Sequence, residues 1–356
     1  MSHTSYTAKF QVIAWRRLAE ESDHSAIYDS PARQPFPLCF EGTRIHLLET
    51  LHDTIHHHPR KLIWLTGNAG SGKSAVAYTF AQQLQNSGAR VATFFSSRQH
   101  PISRVANRFL PTISYQLGLM HPRAKEAITK AIVDDPALFS PDRSRRDQFV
   151  HLILEPLKSM RHCFNNDATR MVIILDISDR DEALNDERHV FLSLVNLFIE
   201  AIRQEGFLNF LNIVMTSRPY AFMNRVARRS PVILPLDMAD FDAQADIALL
   251  LRSFFEDIAH TQHPILPPVA PSELEIQSLS VKIGPQFAVA AALVDLFEER
   301  QLYELRALLD TFSKTQEIPV DNIRVVAKGN RPSGGTPAAR ALPTPTIREV
   351  LISLAS

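Results

Sequence analysis

The chain has 356 residues, 45% of them hydrophobic, and its 38 basic residues balance its 38 acidic ones for a formal net charge of zero. That length holds one large or two ordinary domains with a sizeable core, and the balanced charge argues against nucleic acid or an anionic surface as the main partner. No apolar run is long enough to span a membrane, the start lacks an apolar signal core, and two cysteines, Cys39 and Cys163, do not make a disulfide framework. The composition therefore leads to the expectation of a soluble chain in a reducing, cytoplasmic setting.

Residues 1–37 read as an arm, with a helix over Thr7–Glu21 and then a polar, proline-marked connector. Its apolar residues Phe10, Val12, Ile13, Trp15 and Leu18 are loosely periodic, which suits a helix packed at a domain edge better than a partner-binding arm. A helix is predicted over Ile45–His57, with Ile45, Leu48, Leu51 and Ile55 turned to the core. His56, His57 and His58 at its end have no second cluster at ligand spacing, and they read as a solvated helix end. Leu62–Thr66 is a buried strand, followed by a glycine-rich turn and a helix running to about Gln85.

Val91–Phe95 reads as a second buried strand, and helices are predicted over Ser103–Gly118, Pro122–Val133 and Arg146–Leu157. Arg143, Arg145 and Arg146 read as the solvated start of the last of these. Met171–Asp176 is the clearest strand, and helix Val190–Glu205 leads to another buried strand, Leu211–Arg218. Arg225, Arg228 and Arg229 suggest an exposed helix face, and Val232–Leu236 an edge strand. Asp246–His260 is helical, Ser272–Leu309 makes a smaller helical unit, and Lys328–Thr346 has a linker's composition. Apolar strands alternating with helices predict an α/β fold: a parallel sheet with helices on both faces, followed by a small helical lid unit. The expected domains are an arm at 1–37, a nucleotide domain at 38–260, a partial lid at 261–315 and a tail at 316–356.

Leu62–Ser74, reading LIWLTGNAGSGKS, fits the pattern G-x-x-x-x-G-K-[ST] between a strand and a helix, the context that marks a P-loop. Gly67, Asn68, Ala69, Gly70, Ser71 and Gly72 are expected to crowd backbone N–H groups around phosphate oxygens. Lys73 and Ser74 follow, and a helical pattern begins at Ala75, so that the helix N-terminus adds partial positive charge where an anion would sit. Lys73 would add a full charge at the terminal phosphates, and the Ser74 hydroxyl would ligate Mg²⁺. Asp176, ending its strand about a hundred residues later, is the expected acid of the Mg²⁺ site. Asp179 is the nearest candidate to orient an attacking water, with Arg180, Asp181 and Glu182 beside it and no unambiguous base among them. Ser217 and Arg218 are expected to point at the γ-phosphate if their strand neighbours the P-loop strand.

The segments PLCFEGTR, WLTGNAGSGKSAVAYTFAQQL, VATFFSSR, FLPTISYQL, HLILEPL, MVIILDISD, LNIVMTSRP and ADIALLL occur in an order that resembles the NACHT NTPase domain of the STAND class. The nearest variety is the nephrocystin-type N-terminal domain of fungal multidomain proteins, and the resemblance covers roughly Tyr28 to His260. It implies a signalling switch that binds ATP or GTP with Mg²⁺, closes a helical lid and oligomerises with itself. It also implies that Cys39–Arg44, with Thr43 and Arg44, lines the base side of the pocket, and that Arg218 senses the phosphate. The pattern departs from the family after Asp176, where Ile177 is bulky and Asp179-Arg180 replaces an Asp-Glu pair.

Three readings follow: a slowly hydrolysing switch, a hydrolysis-deficient nucleotide-binding scaffold in which Arg180 stands for the missing Glu, and a small-molecule kinase. The long segment before Leu62 and the T-S-R-P strand end speak against the kinase.

Overall fold

The computed structural model describes residues 3–33, 38–96, 102–164, 170–176, 185–204, 210–261 and 271–298. The chain divides into two compact units. The larger takes Met1–Leu38, Glu49–Thr66 and Lys73–Leu236, and the smaller takes Cys39–Leu48, Gly67–Gly72 and the chain from Asp237 onward.

The larger unit is built on a sheet of five parallel strands: β1 (Leu62–Thr66), β2 (Arg90–Phe95), β3 (Met171–Asp176), β4 (Leu211–Ser217) and β5 (Ile233–Asp237). Their order is β2-β3-β4-β1-β5, so β4 separates the P-loop strand β1 from the acid-bearing strand β3. The register sets Thr66 against Ser217, Asp176 against Thr216 and Phe95 against Asp176, which aligns the carboxyl ends of four strands. Strands β1, β3 and β4 are buried at every position, which is why they read as unbroken apolar runs rather than alternating ones.

Period-two alternation divides the sheet's two faces. Trp64, Phe94, Ile173, Leu175, Ile213 and Met215 join the main core. That core is completed by α1 (His3–Glu21), α4 (Ile102–Met120), α5 (Pro122–Asp134), α7 (Glu155–Met160), α8 (Asn185–Gln204) and α9 (Ala221–Arg229). The opposite face carries Phe95, Asp176, Asn212 and Thr216 and packs on α3 (Lys73–Asn86), with the Tyr78 ring 4.1 Å from that of Phe95. The Asn212 amide donates to the Ile55 carbonyl at the end of α2 (Ile45–His57).

An edge strand presents unpaired backbone groups, and β2 is such a strand. The Gln116 side chain on α4 closes it as a strand would, accepting from Thr93 N–H at 2.9 Å and donating to the Thr93 carbonyl at 2.8 Å. The arm adds Tyr28 N–H donating to Thr93 Oγ1 at 3.0 Å. The arm's helix α1 packs on α4 and α5, the domain-edge role expected for it.

Three local readings are corrected. Ile45 is 54% exposed, while Leu47, Leu48, Leu51 and Ile55 are buried, because at 3.6 residues per turn the buried stripe of α2 centres roughly a third of a turn away from Ile45. The predicted helix Arg146–Leu157 is interrupted: α6 (Arg145–Phe149) runs into a π-turn over Val150–Leu154 before α7. Pro156 has no N–H for the carbonyl four residues back and its ring crowds that carbonyl, so the chain widens there. Arg145 is half-buried rather than solvated, donating to Gln148 and Asn107. Arg225, Arg228 and Arg229 are exposed on α9, as expected.

In the smaller unit, α10 (Gln244–Thr261), α11 (Glu273–Ile283) and α12 (Phe287–Glu298) pack together. Helix α11 starts with a capping box between Ser272 and Glu275 and ends at Gly284.

Candidate functional site

In the larger unit, Lys73, Ser74 and Ala75 form the first turn of α3, where the helix dipole favours an anion. Asp176 is buried at the end of β3, and the Thr216 hydroxyl donates to its Oδ1. The pairing follows from the register, which sets the two residues side by side on the α3 face. A buried carboxylate needs such a donor, and one donor on Oδ1 leaves Oδ2 for a cation. Sequence reading identified Asp176 and missed Thr216, although the T-S-R-P motif contains it.

Ser217 does not take the place expected for it. One residue beyond Thr216, it turns to the opposite face, where its hydroxyl accepts from Trp64 Nε1 at 2.9 Å and donates to the Arg218 carbonyl at 2.9 Å. Its role is to fix the chain that carries Arg218, which leaves the sheet half-buried directly after β4. Asp179, with Arg180, Asp181 and Glu182, lies outside the described residues.

In the smaller unit, Gly70 at φ +76° and Gly72 at φ +89° hold left-handed conformations that a side chain would strain. A Cβ on Gly70 would also sit 3.2 Å from that of Ala288. Contacts that hold the loop Gly67–Gly72 include Ser71 N–H to Asn68 O at 3.3 Å, Ala288 N–H to Gly70 O at 3.0 Å, Arg44 Nη2 to Ser71 O at 3.0 Å and the Ser71 hydroxyl to Met238 Sδ at 3.4 Å. Thr43 is buried and donates through its hydroxyl to the Phe40 carbonyl.

Arg44 is 4% exposed, at φ +57°, a conformation costing roughly 1 kcal/mol or more in a residue with a side chain. Its backbone N–H donates to Asp246 Oδ2 at 2.9 Å, and its guanidinium lies 4.7 Å from the centre of the Phe287 ring. Nε and Nη1 have no hydrogen-bond acceptor among the described residues, Nε lying 3.9 Å from Asp246 Oδ2. Burial pushes the guanidinium's pKa down, opposed by Asp246, Cys39 and Asp242. Burial pushes Asp246 up, opposed by the Arg44 N–H and charge. Phe287, Ala288 and Asp246 come from far along the chain, and no local signal pointed to them.

Taken unit by unit, the residues present suit an anion and a cation. In the smaller unit the loop is a cradle that side chains would strain, and Arg44 keeps two buried donors without acceptors among the described residues. In the larger unit Asp176 offers a carboxylate with one oxygen committed to Thr216. Among the described residues no group of three or more potential ligands forms a metal site made by protein alone, and no helix is long and apolar enough to cross a membrane.

A parallel sheet with a phosphate loop at the carboxyl end of one strand and an acid at the end of another defines a P-loop domain, a nucleotide-binding class. Residues 42–218 match the family described as Nephrocystin 3, N-terminal. The NACHT-type, nephrocystin-like resemblance of the sequence motifs is thereby borne out. No curated protein is recognisably similar. Solved structures with distant likeness include Drosophila ORC bound to DNA, at 14% identity and TM-score 0.42, covering 84% of this chain and 76% of that one. Another is Aeropyrum pernix ORC2 in its ADPNP-ADP complexes, at 12% identity and TM-score 0.39, covering 87% of this chain and 74% of that one. A third is domain III of Thermotoga maritima DnaA, at 13% identity and TM-score 0.38, covering 80% of this chain and 99% of that one. These likenesses are too distant to bear on function.

Proposed function

We propose that the chain is a Mg²⁺-dependent nucleotide switch that binds ATP or GTP and hydrolyses it slowly. The observation that carries this reading is the alignment at the sheet's carboxyl edge: α3 opens with Lys73-Ser74, and the buried pair Asp176–Thr216 lies on the face that packs against α3. In this reading Gly67–Gly72 and Lys73–Ala75 would hold the phosphates, Ser74 and Asp176 the Mg²⁺, and Thr43 with Arg44 the base side. When bound, Mg²⁺ supplies charge that offsets the phosphate oxygens. Arg218 would stabilise charge developing at the terminal phosphate, and Asp179 would orient water. The segment 261–315 is proposed as the lid, and self-association as the output.

The hydrolysis-deficient scaffold is the second reading, favoured by Arg180 standing where the family resemblance calls for Glu. Equilibrium binding of ATP and GTP with and without Mg²⁺, alongside single-turnover phosphate release, tests both. Lys73-dependent binding with measurable release supports the switch, and such binding without release supports the scaffold. Binding that survives Lys73→Ala unchanged, or its absence in the wild type, overturns the nucleotide site.

A further inference from the structure

The arm 3–33 does more than cover the edge of β2. It is fastened by Tyr28 N–H to Thr93 Oγ1, by the Tyr28 hydroxyl to Gln85, and by Asp23 N–H to Thr112 Oγ1 at 2.8 Å. It then makes a 3-10 turn over Pro31–Arg33. The Arg33 side chain is aimed by the arm's own backbone, its Nε donating to the Ser25 carbonyl at 2.5 Å. Its guanidinium carbon lies 5.4 Å from the centre of the Phe95 ring.

Phe95 is the last residue of β2 and the register partner of Asp176. The Tyr78 ring tilts against Phe95 at 4.1 Å, so the ring that the Arg33 guanidinium lies over also touches Tyr78. Tyr78 follows Ser74 by four residues, so the two share a face of α3, one turn apart. Burial raises the Tyr78 pKa, Arg33 opposes that and Asp176 adds to it, so this hydroxyl feels the arm's cation and the sheet's acid together. A guanidinium, a phenol and a carboxylate are thus drawn to one corner of the sheet, on the α3 face.

We propose that Arg33 is a positioning residue of the nucleotide site, acting through Tyr78 and Phe95 on the first turns of α3 and on Asp176, so that the N-terminal arm is a working part of that site. This rests on the nucleotide-binding reading and adds a cation that the P-loop motif does not contain. Its charge lies on the side where phosphates and Asp176 are negative. Because Mg²⁺ offsets the same negative charge, the contribution of Arg33 is larger when Mg²⁺ is absent.

The test is a double-mutant cycle, Arg33→Gln against Tyr78→Phe, read as dissociation constants for ATP and GTP with Mg²⁺ and with chelator, with Lys73→Ala as control. Each single variant is expected to weaken Mg²⁺-free binding by about tenfold and Mg²⁺-bound binding by about threefold. The double variant is expected to be no weaker than the poorer single. Arg33→Lys, which keeps the charge, is expected to retain most of the Mg²⁺-free affinity and serves if Arg33→Gln does not fold. A structural role alone would lower both affinities equally, so additive losses that ignore Mg²⁺, with binding still dependent on Lys73, overturn this inference and leave the nucleotide site standing. Absence of Lys73-dependent binding overturns the site and this inference with it.

Discussion

Replacing Thr216 with Val removes one oxygen and adds one methyl while keeping the branched shape. Thr216 is wholly buried, and its hydroxyl is the donor to Asp176 Oδ1, itself in a buried carboxylate. A hydrogen bond to a charged acceptor contributes about 1.5–3 kcal/mol, and burying one extra methyl returns about 0.8 kcal/mol. The net loss is about 1–2 kcal/mol, which in a domain of this size lowers the melting temperature by roughly 2–8 °C. Asp176 without its donor also becomes a poorer metal ligand, so Mg²⁺-dependent nucleotide affinity should fall by about tenfold, as when groups that orient metal ligands are removed. Thr216→Ser keeps the hydroxyl and is expected to lose only packing, with Mg²⁺ dependence intact. Urea unfolding and Mg²⁺ titration of nucleotide binding measure the two effects separately. A Val variant as stable as the wild type, with unchanged Mg²⁺ dependence, would refute the assignment of Thr216 to Asp176.

Gly70→Ala forces a side chain into φ +76° against Ala288 and is expected to cost about 1–2 kcal/mol and to abolish nucleotide-dependent stabilisation, read by thermal melts with and without ATP and GTP. Gln116→Leu strands the N–H and carbonyl of Thr93, an expected loss of about 2–4 kcal/mol in denaturant unfolding. Burial, with Arg90 and Arg123, pushes the pKa of His121 below its ordinary 6.5, so the unfolded chain takes up the proton first as pH falls. Its contribution is therefore present above about pH 6.5 and lost below it. His121→Asn, which keeps an acceptor for the Arg123 N–H, should flatten the slope of unfolding midpoint against pH between 7.5 and 5.5, and an unchanged slope would count against the assignment.

Most of the architecture was legible because burial on both faces leaves a plain mark: Leu62–Thr66, Met171–Asp176 and Leu211–Ser217 are apolar runs with polar ends, and the P-loop is a contiguous motif. The sequence also held the parity that turns Ser217 away from Asp176, since alternate residues of a strand face opposite sides. What it could not show is proximity between distant segments. Arg33 reaches Tyr78, Thr216 reaches Asp176, and Phe287 stacks on Arg44 only because strand order and helix packing bring together residues tens to hundreds apart in the chain. Motifs are local because a phosphate cradle is made of consecutive backbone N–H groups, and those the sequence determined by itself. The charges and hydroxyls that set the acid and the loop in place are chosen by packing, and only the tertiary structure decided them.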